Sequence, residues 1–343
     1  MEIAVVILNW NGHKLLEEYL PSVVSYSGSA TIYVADNAST DDSVKFIKDH
    51  YPQIKIVQND ENGGFAKGYN DALKRIQADY YILLNSDIRV TENWIEPVIQ
   101  YMESQSGMVA CQPKVLSLME PEKFEHAGAA GGYLDKYYFP FCRGRVFQEI
   151  EKDEHQYDDN REIFWATGAC MFIKAEMYHN AGGLDEIFFA HMEEIDLCWR
   201  LKNLGYKIGY CGESKIYHLG GGTLNYMTPK KTYLNFRNSL FMITKNYRGN
   251  LFLLLFNRLV IDGVAGVRFF FMGEWKHLNA IFSAHFDYYK KLKHFLKIRK
   301  EYKKNNAGNE NNAGYYRKSI VLQKFWKKRD HFSQLDPKDF MGS

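Results

Sequence analysis

An α/β fold with a mostly parallel central sheet, followed by a helical C-terminal region, is predicted from three observations. Short apolar, β-rich runs alternate with amphipathic helical runs through the first hundred residues, as βαβ crossovers require. Four successive strand-like runs end in Asn, Asp, Ser or Gly. The 343-residue chain is 46% hydrophobic and 15% aromatic, which excludes disorder over most of its length and allows one or two sizeable cores.

The first element is Ile3-Ala4-Val5-Val6-Ile7-Leu8. It has no basic stretch before it and turns polar at Asn9-Trp10-Asn11, so it reads as a buried strand, not a signal peptide. Further strands are expected at Thr31 to Ala35, Ile54 to Val57 and Tyr80 to Leu84. Leu15, Leu16, Tyr19, Leu20, Val23 and Val24 have helical spacing. So do Val44, Ile47 and Tyr51, and then Ala66, Tyr69, Leu73 and Ile76. Ser39-Thr40-Asp41-Asp42 offers a capping hydroxyl and early acidic residues to the second helix.

From about Gly107 to Gly222 the pattern is less regular, with turns around Gly128 to Gly132. Residues 226–304 look helical and basic, Asn305 to Gly314 is low in complexity, and residues 305–343 are expected to be a flexible linker and tail. Leu251 to Met272 is long enough to span a membrane but contains Arg258, Asp262 and Arg268, each opposing insertion by roughly 2.5 to 3.5 kcal/mol near the centre. Its polar residues share one arc, which fits an interfacial helix or one packed on the rest of the protein. The five cysteines form no C-x-x-C pair and read as free buried thiols.

Lys and Arg total 43 against 41 Asp and Glu, which argues against a nucleic-acid binder. The balance is uneven along the chain. Residues 1–229 carry 20 basic and 33 acidic side chains, whereas residues 230–343 carry 23 basic and 8 acidic. The two parts therefore face different partners, and the basic part suits an anionic membrane surface.

In parallel α/β sheets the ligand sits beyond the carboxyl ends of the strands. Here those ends are Asn9-Trp10-Asn11-Gly12, Asp36-Asn37-Ala38-Ser39, Asn59-Asp60-Glu61-Asn62-Gly63-Gly64 and Asn85-Ser86-Asp87. One such cluster is ordinary turn chemistry, but four on one sheet edge fit a polar, nucleotide-sized ligand. Asp87 suits a hard divalent cation bridging two phosphates, and equally a turn or cap. In His191 to Arg200, Glu193 and Asp196 share a helical face, Asp196 can pair with Arg200, and Glu194 is directed elsewhere, free for acid–base chemistry. His218 precedes Gly220-Gly221-Gly222, where backbone can approach phosphate and imidazole can ligate a metal.

Taken together, these segments resemble the family 2 glycosyltransferases, the inverting group with a GT-A (Rossmann-like) nucleotide-diphospho-sugar transferase fold, and especially their bacterial rhamnosyltransferase-like branch. The resemblance runs over about residues 1–225. It adds Thr167-Gly168-Ala169-Cys170-Met171 and Gly182-Gly183-Leu184-Asp185-Glu186 to the segments above.

The resemblance implies that Asp36, with Asn9, Asn11 and Asn37, lines the nucleoside pocket. Asn62, Gly63, Gly64, Lys67 and Asn70 would wrap the nucleotide and donor sugar, joined by Asn85 and Ser86. Asp87 ends the family's D-x-D metal motif, whose first position is Asn85 here, so Mg²⁺ or Mn²⁺ would rest on Asp87, His218 and the diphosphate. The family's Glu-Asp dipeptide falls on Glu193-Glu194, which leaves Glu194 or Asp196 as the base. The implied donor is a dTDP- or UDP-sugar, with rhamnose first and other hexoses or deoxyhexoses as alternatives. The implied acceptor is a glycan or lipid-linked hydroxyl in surface polysaccharide synthesis, at the cytoplasmic face of the inner membrane. The rival from another class is a non-catalytic nucleotide-sugar binding module. A nucleotidyltransferase would need a basic glycine-rich loop after the first strand, which Asn9-Trp10-Asn11-Gly12-His13-Lys14 is not.

Overall fold

The structure is a computed structural model, described over residues 1–220, 228–305 and 310–342. The predicted alternation is present as β1 (Ile3–Asn9), α1 (His13–Tyr26), β2 (Thr31–Asp36), α2 (Ser43–His50), β3 (Lys55–Gln58), α3 (Gly64–Leu73) and β4 (Tyr80–Asn85). Val5, Ile7 and Val34 face Leu16, Leu20, Val23 and Ile47 on one side of the sheet. Val6 and Leu83 face Ala66, Tyr69 and Leu73 on the other. Helices on both faces explain why β1 is continuously apolar and does not alternate.

The chain continues through β5 (Ile88–Val90), α4 (Glu96–Ser104) and β6 (Met108–Ser117) into a small antiparallel sheet. Its strands are β7 (Gly132–Leu134), β8 (Pro140–Cys142), β9 (Arg145–Val146) and β10 (Glu149–Ile150). β11 (Arg161–Ile163), β12 (Cys170–Lys174), α5 (Ala175–Asn180), α6 (Glu193–Asn203) and β13 (Lys207–His218) then complete the main sheet. Its order is β11-β13-β6-β12-β4-β1-β2-β3, with β5 added on β13. The β3-β2-β1-β4 half is parallel, as is the β6/β13 pair, and antiparallel β12 lies between β4 and β6. Register sets Asn9 beside Asp36 and Leu8 beside Asn85, so the polar strand ends lie level on one edge.

Four helices follow: α7 (Pro229–Asn246), α8 (Leu251–Phe271), α9 (Trp275–Asn305) and the short α10 (Ile320–Phe325). α7 is welded to α6. Lys245 Nζ and Asn246 Nδ2 reach the Asp196 carboxylate at 2.8 and 2.7 Å. All five cysteines are free and buried. No helix among the described residues is long and apolar enough to cross a membrane.

Two expectations need correction. Residues 310–342 are not a loose tail. Tyr315 bridges to Leu134 of β7, Tyr316 bridges to Phe340, and the Ile320 amide donates to Asp135 Oδ2 at 2.8 Å. Tyr316, Phe332 and Phe340 bury their rings around Tyr133 and Phe141. Ring burial of this kind outweighs the low complexity of the preceding linker, of which residues 306–309 lie outside the described residues. Secondly, Ser39 does not cap α2. Its hydroxyl accepts from Asn9 and Asn11 instead, while Asp41 accepts from the amides of His13 and Ser43. Of the two readings of α8, packing on the rest of the protein holds at the helix centre, where two of its four polar residues face inward. Arg258 pairs with Asp262 at 3.1 Å and stacks on Phe139 at 3.6 Å, both charges being almost fully buried.

Candidate active site

The polar strand ends form a network of side chains, in which Asn9, Asp36 and Asn37 are buried. Asn9 Nδ2 donates to Asp36 Oδ1 at 3.0 Å, and the Ser39 amide donates to Asp36 Oδ2 at 3.0 Å. Asn11 Oδ1 accepts from the Thr40 and Asp41 amides at 2.8 and 3.3 Å. Asn37 Nδ2 reaches the Gly64 carbonyl at 3.0 Å, and Asn59 Nδ2 donates to Asn37 Oδ1 at 2.7 Å. Three strand ends and the start of α3 are thus held together.

Asn62 Oδ1 accepts from the Gly64 amide at 3.0 Å, turning the chain into α3. Gly64 is needed there. It has φ +82, and a Cβ would lie 2.8 Å from the Phe189 ring. Gly63 lies beside the Lys67 side chain, whose ammonium pairs with Asp71 and, at 3.7 Å, with Glu61. Asn70 is buried, donating to the Leu184 carbonyl at 2.8 Å and accepting from Tyr178 at 2.7 Å, so it ties α3 to the approach to α6.

At the end of β4, the Asn85 amide donates to the Ala169 carbonyl at 2.9 Å, which joins the Gly168 loop to this edge. Ser86 Oγ lies near Gly12, 3.8 Å from where a Cβ would stand. Asp87 Oδ1 is 3.1 Å from His218 Nε2, and His218 Nδ1 is 3.3 Å from Glu125 Oε2. Burial would push this imidazole down, but hydrogen bonds and charge from Asp87 and Glu125 override it and hold it up at about 10. Glu125 was not singled out from the sequence. Its signal is its place just before the Gly128 to Gly132 turns, next to His126. Gly221 and Gly222 lie outside the described residues.

The carboxylate cluster begins α6. The chain leads in with left-handed or strained backbone at Phe189 (φ 65), His191 (φ 69) and Met192 (φ 75), three of the four residues before the helix. Burial pushes Glu194 up to about 7, opposed by the backbone amides around it. Burial and the neighbouring Glu194 charge push Glu193 up as well. Glu193 Oε2, Glu194 Oε2 and His191 Nε2 are buried with no hydrogen-bond partner among the described residues. Gly168 packs against this point: a Cβ there would sit 3.1 Å from Phe65 and 3.6 Å from Glu194 Cβ.

Asp196 is different. Burial would raise it, but Lys245 and Arg200 hold it below the ordinary carboxylate range. Arg200 Nε lies at 2.8 Å, and its other nitrogens bind the Ala181 and Gly183 carbonyls. Asp196 and Arg200 therefore fasten α6 to its surroundings and are enclosed, leaving Glu194 as the least buried carboxylate of the group.

Among the described residues no group of three or more His, Cys, Asp or Glu side chains is arranged to hold a metal ion. Asp87 and His218 would offer one oxygen and one nitrogen to a divalent cation whose other ligands are diphosphate oxygens and water, with the cation displacing the proton that His218 holds between Asp87 and Glu125. A polar groove of about 560 Å³ lies at the opposite, amino-terminal edge of β1 and β2, lined by Met1, Thr31, Lys55 and Arg75, away from all of these groups.

The chain is similar to an N-acetylglucosaminyl-diphospho-decaprenol L-rhamnosyltransferase of Mycobacterium tuberculosis, 20% identical over 63% of this chain and 75% of the relative. It is also similar to the rhamnosyltransferase WbbL of Escherichia coli, 24% identical over 61% of this chain and 80% of the relative. Among solved structures, the mannosyltransferase PcManGT from Pyrobaculum calidifontis, in complex with GDP-Man and Mn²⁺, superposes with a TM-score of 0.52 at 12% identity, covering 96% of this chain and 88% of that one. GalNAc-T7 with UDP, GalNAc and Mn²⁺ gives a TM-score of 0.56 at 16% identity over 71% of this chain and 48% of that one, so the match spans about half of its length. These likenesses establish the GT-A fold. The profile named Glycosyl transferase family 2 matches residues 4–180, which carry the strand-end network, the Asn85-Ser86-Asp87 turn and Gly168. The chain belongs to glycosyl transferase family 2.

Proposed function

We propose that this glycosyltransferase is an inverting, metal-dependent enzyme that moves a sugar, rhamnose first among the options, from a dTDP- or UDP-sugar to a hydroxyl of a lipid-linked or growing surface glycan. The observation that carries the reading is Glu194: a half-buried carboxyl at the start of α6, held near pKa 7, with an unpartnered oxygen beside Gly168.

In the proposed reaction the acceptor O–H gives its proton to Glu194 as the oxygen bonds to the anomeric carbon and the bond to the diphosphate oxygen breaks. A base poised near the working pH suits that proton transfer, worth about 10²- to 10⁴-fold. Burial and the Glu194 charge both raise the Glu193 carboxyl, which disfavours a second charge in the pocket. Asp36, with Asn9 and Asn11, would take the nucleoside, and Gly63 with Gly64 would let backbone approach the donor. Asp87 and His218 would hold a Mg²⁺ or Mn²⁺ ion, which when bound stabilises charge on the leaving diphosphate.

The rhamnose reading draws on the two rhamnosyltransferase relatives, and the lipid-linked acceptor on the diphospho-decaprenol substrate in the name of one of them. A Haloferax volcanii relative named as a hexosyltransferase of glycan biosynthesis, 21% identical, keeps other hexoses in view. A panel of nucleotide sugars assayed for nucleoside diphosphate release, with and without Mn²⁺, tests the reading. Release from a dTDP- or UDP-deoxyhexose supports it. Tight nucleotide-sugar binding with no release from any donor would make the protein a binding module instead.

A further inference from the structure

α8 is apolar on its outside. While Arg258 and Asp262 are buried, Phe252, Phe256, Val260, Val264 and Phe271 face solvent, with Phe252 82% and Phe271 81% exposed. Of the 23 large hydrophobic side chains exposed among the described residues, 14 lie between Phe252 and Leu296. The ridge continues onto α9, where Trp275 packs on Phe270 at 4.8 Å and Phe282, Phe286 and Tyr289 are exposed at helical spacing. Such a contiguous patch marks a binding surface, because soluble monomers rarely expose one.

The folded tail adds to the same face. Arg268, near the end of α8, lies over the Phe325 ring at 5.4 Å, and Leu322, Phe325 and Trp326 are exposed, Trp326 at 79%. Positive charge surrounds these rings. Residues 315–330 contain six Lys or Arg and one acidic residue. A groove of about 520 Å³ beside Trp326 is lined by Lys136, Arg317, Lys318 and Lys327. On α9, Lys290 Nζ sits over Phe286 at 4.3 Å.

We propose that the outer ridge of α8 and α9, together with Leu322, Phe325 and Trp326, docks in the plane of an anionic membrane leaflet. The rings would enter the boundary between headgroups and acyl chains, and the flanking lysines and arginines would meet lipid phosphates. A second copy of this chain is the poorer occupant, since pairing the face with itself sets like charges against each other. The tail thereby gains a role: it is the second foot of the docking surface, set beside the end of α8 by the Arg268 contact. The inference extends the lipid-linked acceptor proposed above, and its test reads binding without turnover, so the two can fail separately.

The test is flotation of the full chain with vesicles of phosphatidylcholine, alone or with about one third phosphatidylglycerol, at low and high salt. The wild type should float with the anionic vesicles and be released by salt. The pair Phe256→Glu and Val264→Glu should cut the bound fraction by about tenfold, and Trp326→Ala by about threefold. Unchanged binding of dTDP or UDP by these variants would show that they are folded. The proposal is overturned if the wild type does not float, or if the variants float as well as it does. It also fails if light scattering finds a dimer that the same glutamates dissociate, which would give the face to a second copy.

Discussion

The side-chain amide of Asn238, fully buried on α7, donates to the His191 carbonyl at 2.8 Å. The same nitrogen reaches the carbonyls of Phe188 at 3.0 Å and Ala190 at 2.9 Å, and the neighbouring Arg237 also binds the Phe188 carbonyl. One residue of the helical region therefore holds the strained turn that aims Glu193 and Glu194. Asn238→Ala should leave buried carbonyls unpaired, at about 1 to 3 kcal/mol of stability. It should also lower kcat more than it raises KM for the donor. Thermal melts with steady-state kinetics check both. A variant that loses stability but keeps kcat would make Asn238 purely structural.

Glu194→Gln should reduce transfer by about 10²-fold or more while nucleotide affinity stays within about twofold, as read by calorimetry. Wild-type turnover in the variant would remove Glu194 from the mechanism.

The pH dependence follows from the same residue. Because Glu194 must be ionised to accept a proton, the wild-type rate should climb with pH and level off above about 7. A carboxyl whose pKa is raised on folding favours the folded state most below the ordinary carboxylate value. That contribution is lost as pH rises through about 7. Glu194→Gln should therefore be more stable than wild type at pH 8, by on the order of 1 to 2 kcal/mol, and nearly equal to it at pH 4. Denaturant melts at the two pH values decide it.

Lys245→Met should behave as a folding variant. It removes a cation at 2.7 Å from Asp185 and 2.8 Å from Asp196, leaving Asp196 to Arg200 and Asn246. Breaking a buried pair from one side costs about 3 to 5 kcal/mol. If stability were unchanged while only kcat fell, Asp196 would return as a candidate base.

Gly168→Ala should place a methyl 3.1 Å from Phe65 and 3.6 Å from Glu194 Cβ. Phe65 must shift by a few tenths of an ångström, so we expect a stability loss of about 1 kcal/mol or less. Donor or acceptor KM should rise several-fold, measured with saturating partner substrate. Kinetics indistinguishable from wild type would place Gly168 outside the substrate space.

The parallel half of the sheet was legible because β1 to β4 are local, apolar and separated by clear helical spacing. The polar strand ends were legible for the same reason, since topology alone levels Asn9, Asp36 and Asn85. The Asp196 pairing with Arg200 could be read from helical spacing, but its pairing with Lys245 could not, because the two lie 49 positions apart on different helices with β13 between them. Glu125 and Asn238 were invisible for the same reason: each acts through a long-range contact that no local periodicity encodes. The tail was misread because asparagine and glycine before Tyr315 signalled a linker, while the aromatic residues beyond it carried the burial.

The closure of β7 by Tyr315 has a consequence in time. Leu134 is synthesised about 180 residues before its partner in the bridge. At 5 to 20 residues per second, roughly 10 to 40 seconds pass with Tyr133 and Phe141 lacking their cover. Nascent chains stalled before residue 310 should accordingly be cut by protease near β7 and β8, and become resistant once Phe340 has emerged. The aromatic residues made after residue 310 thus cover a core whose other half was made much earlier in synthesis.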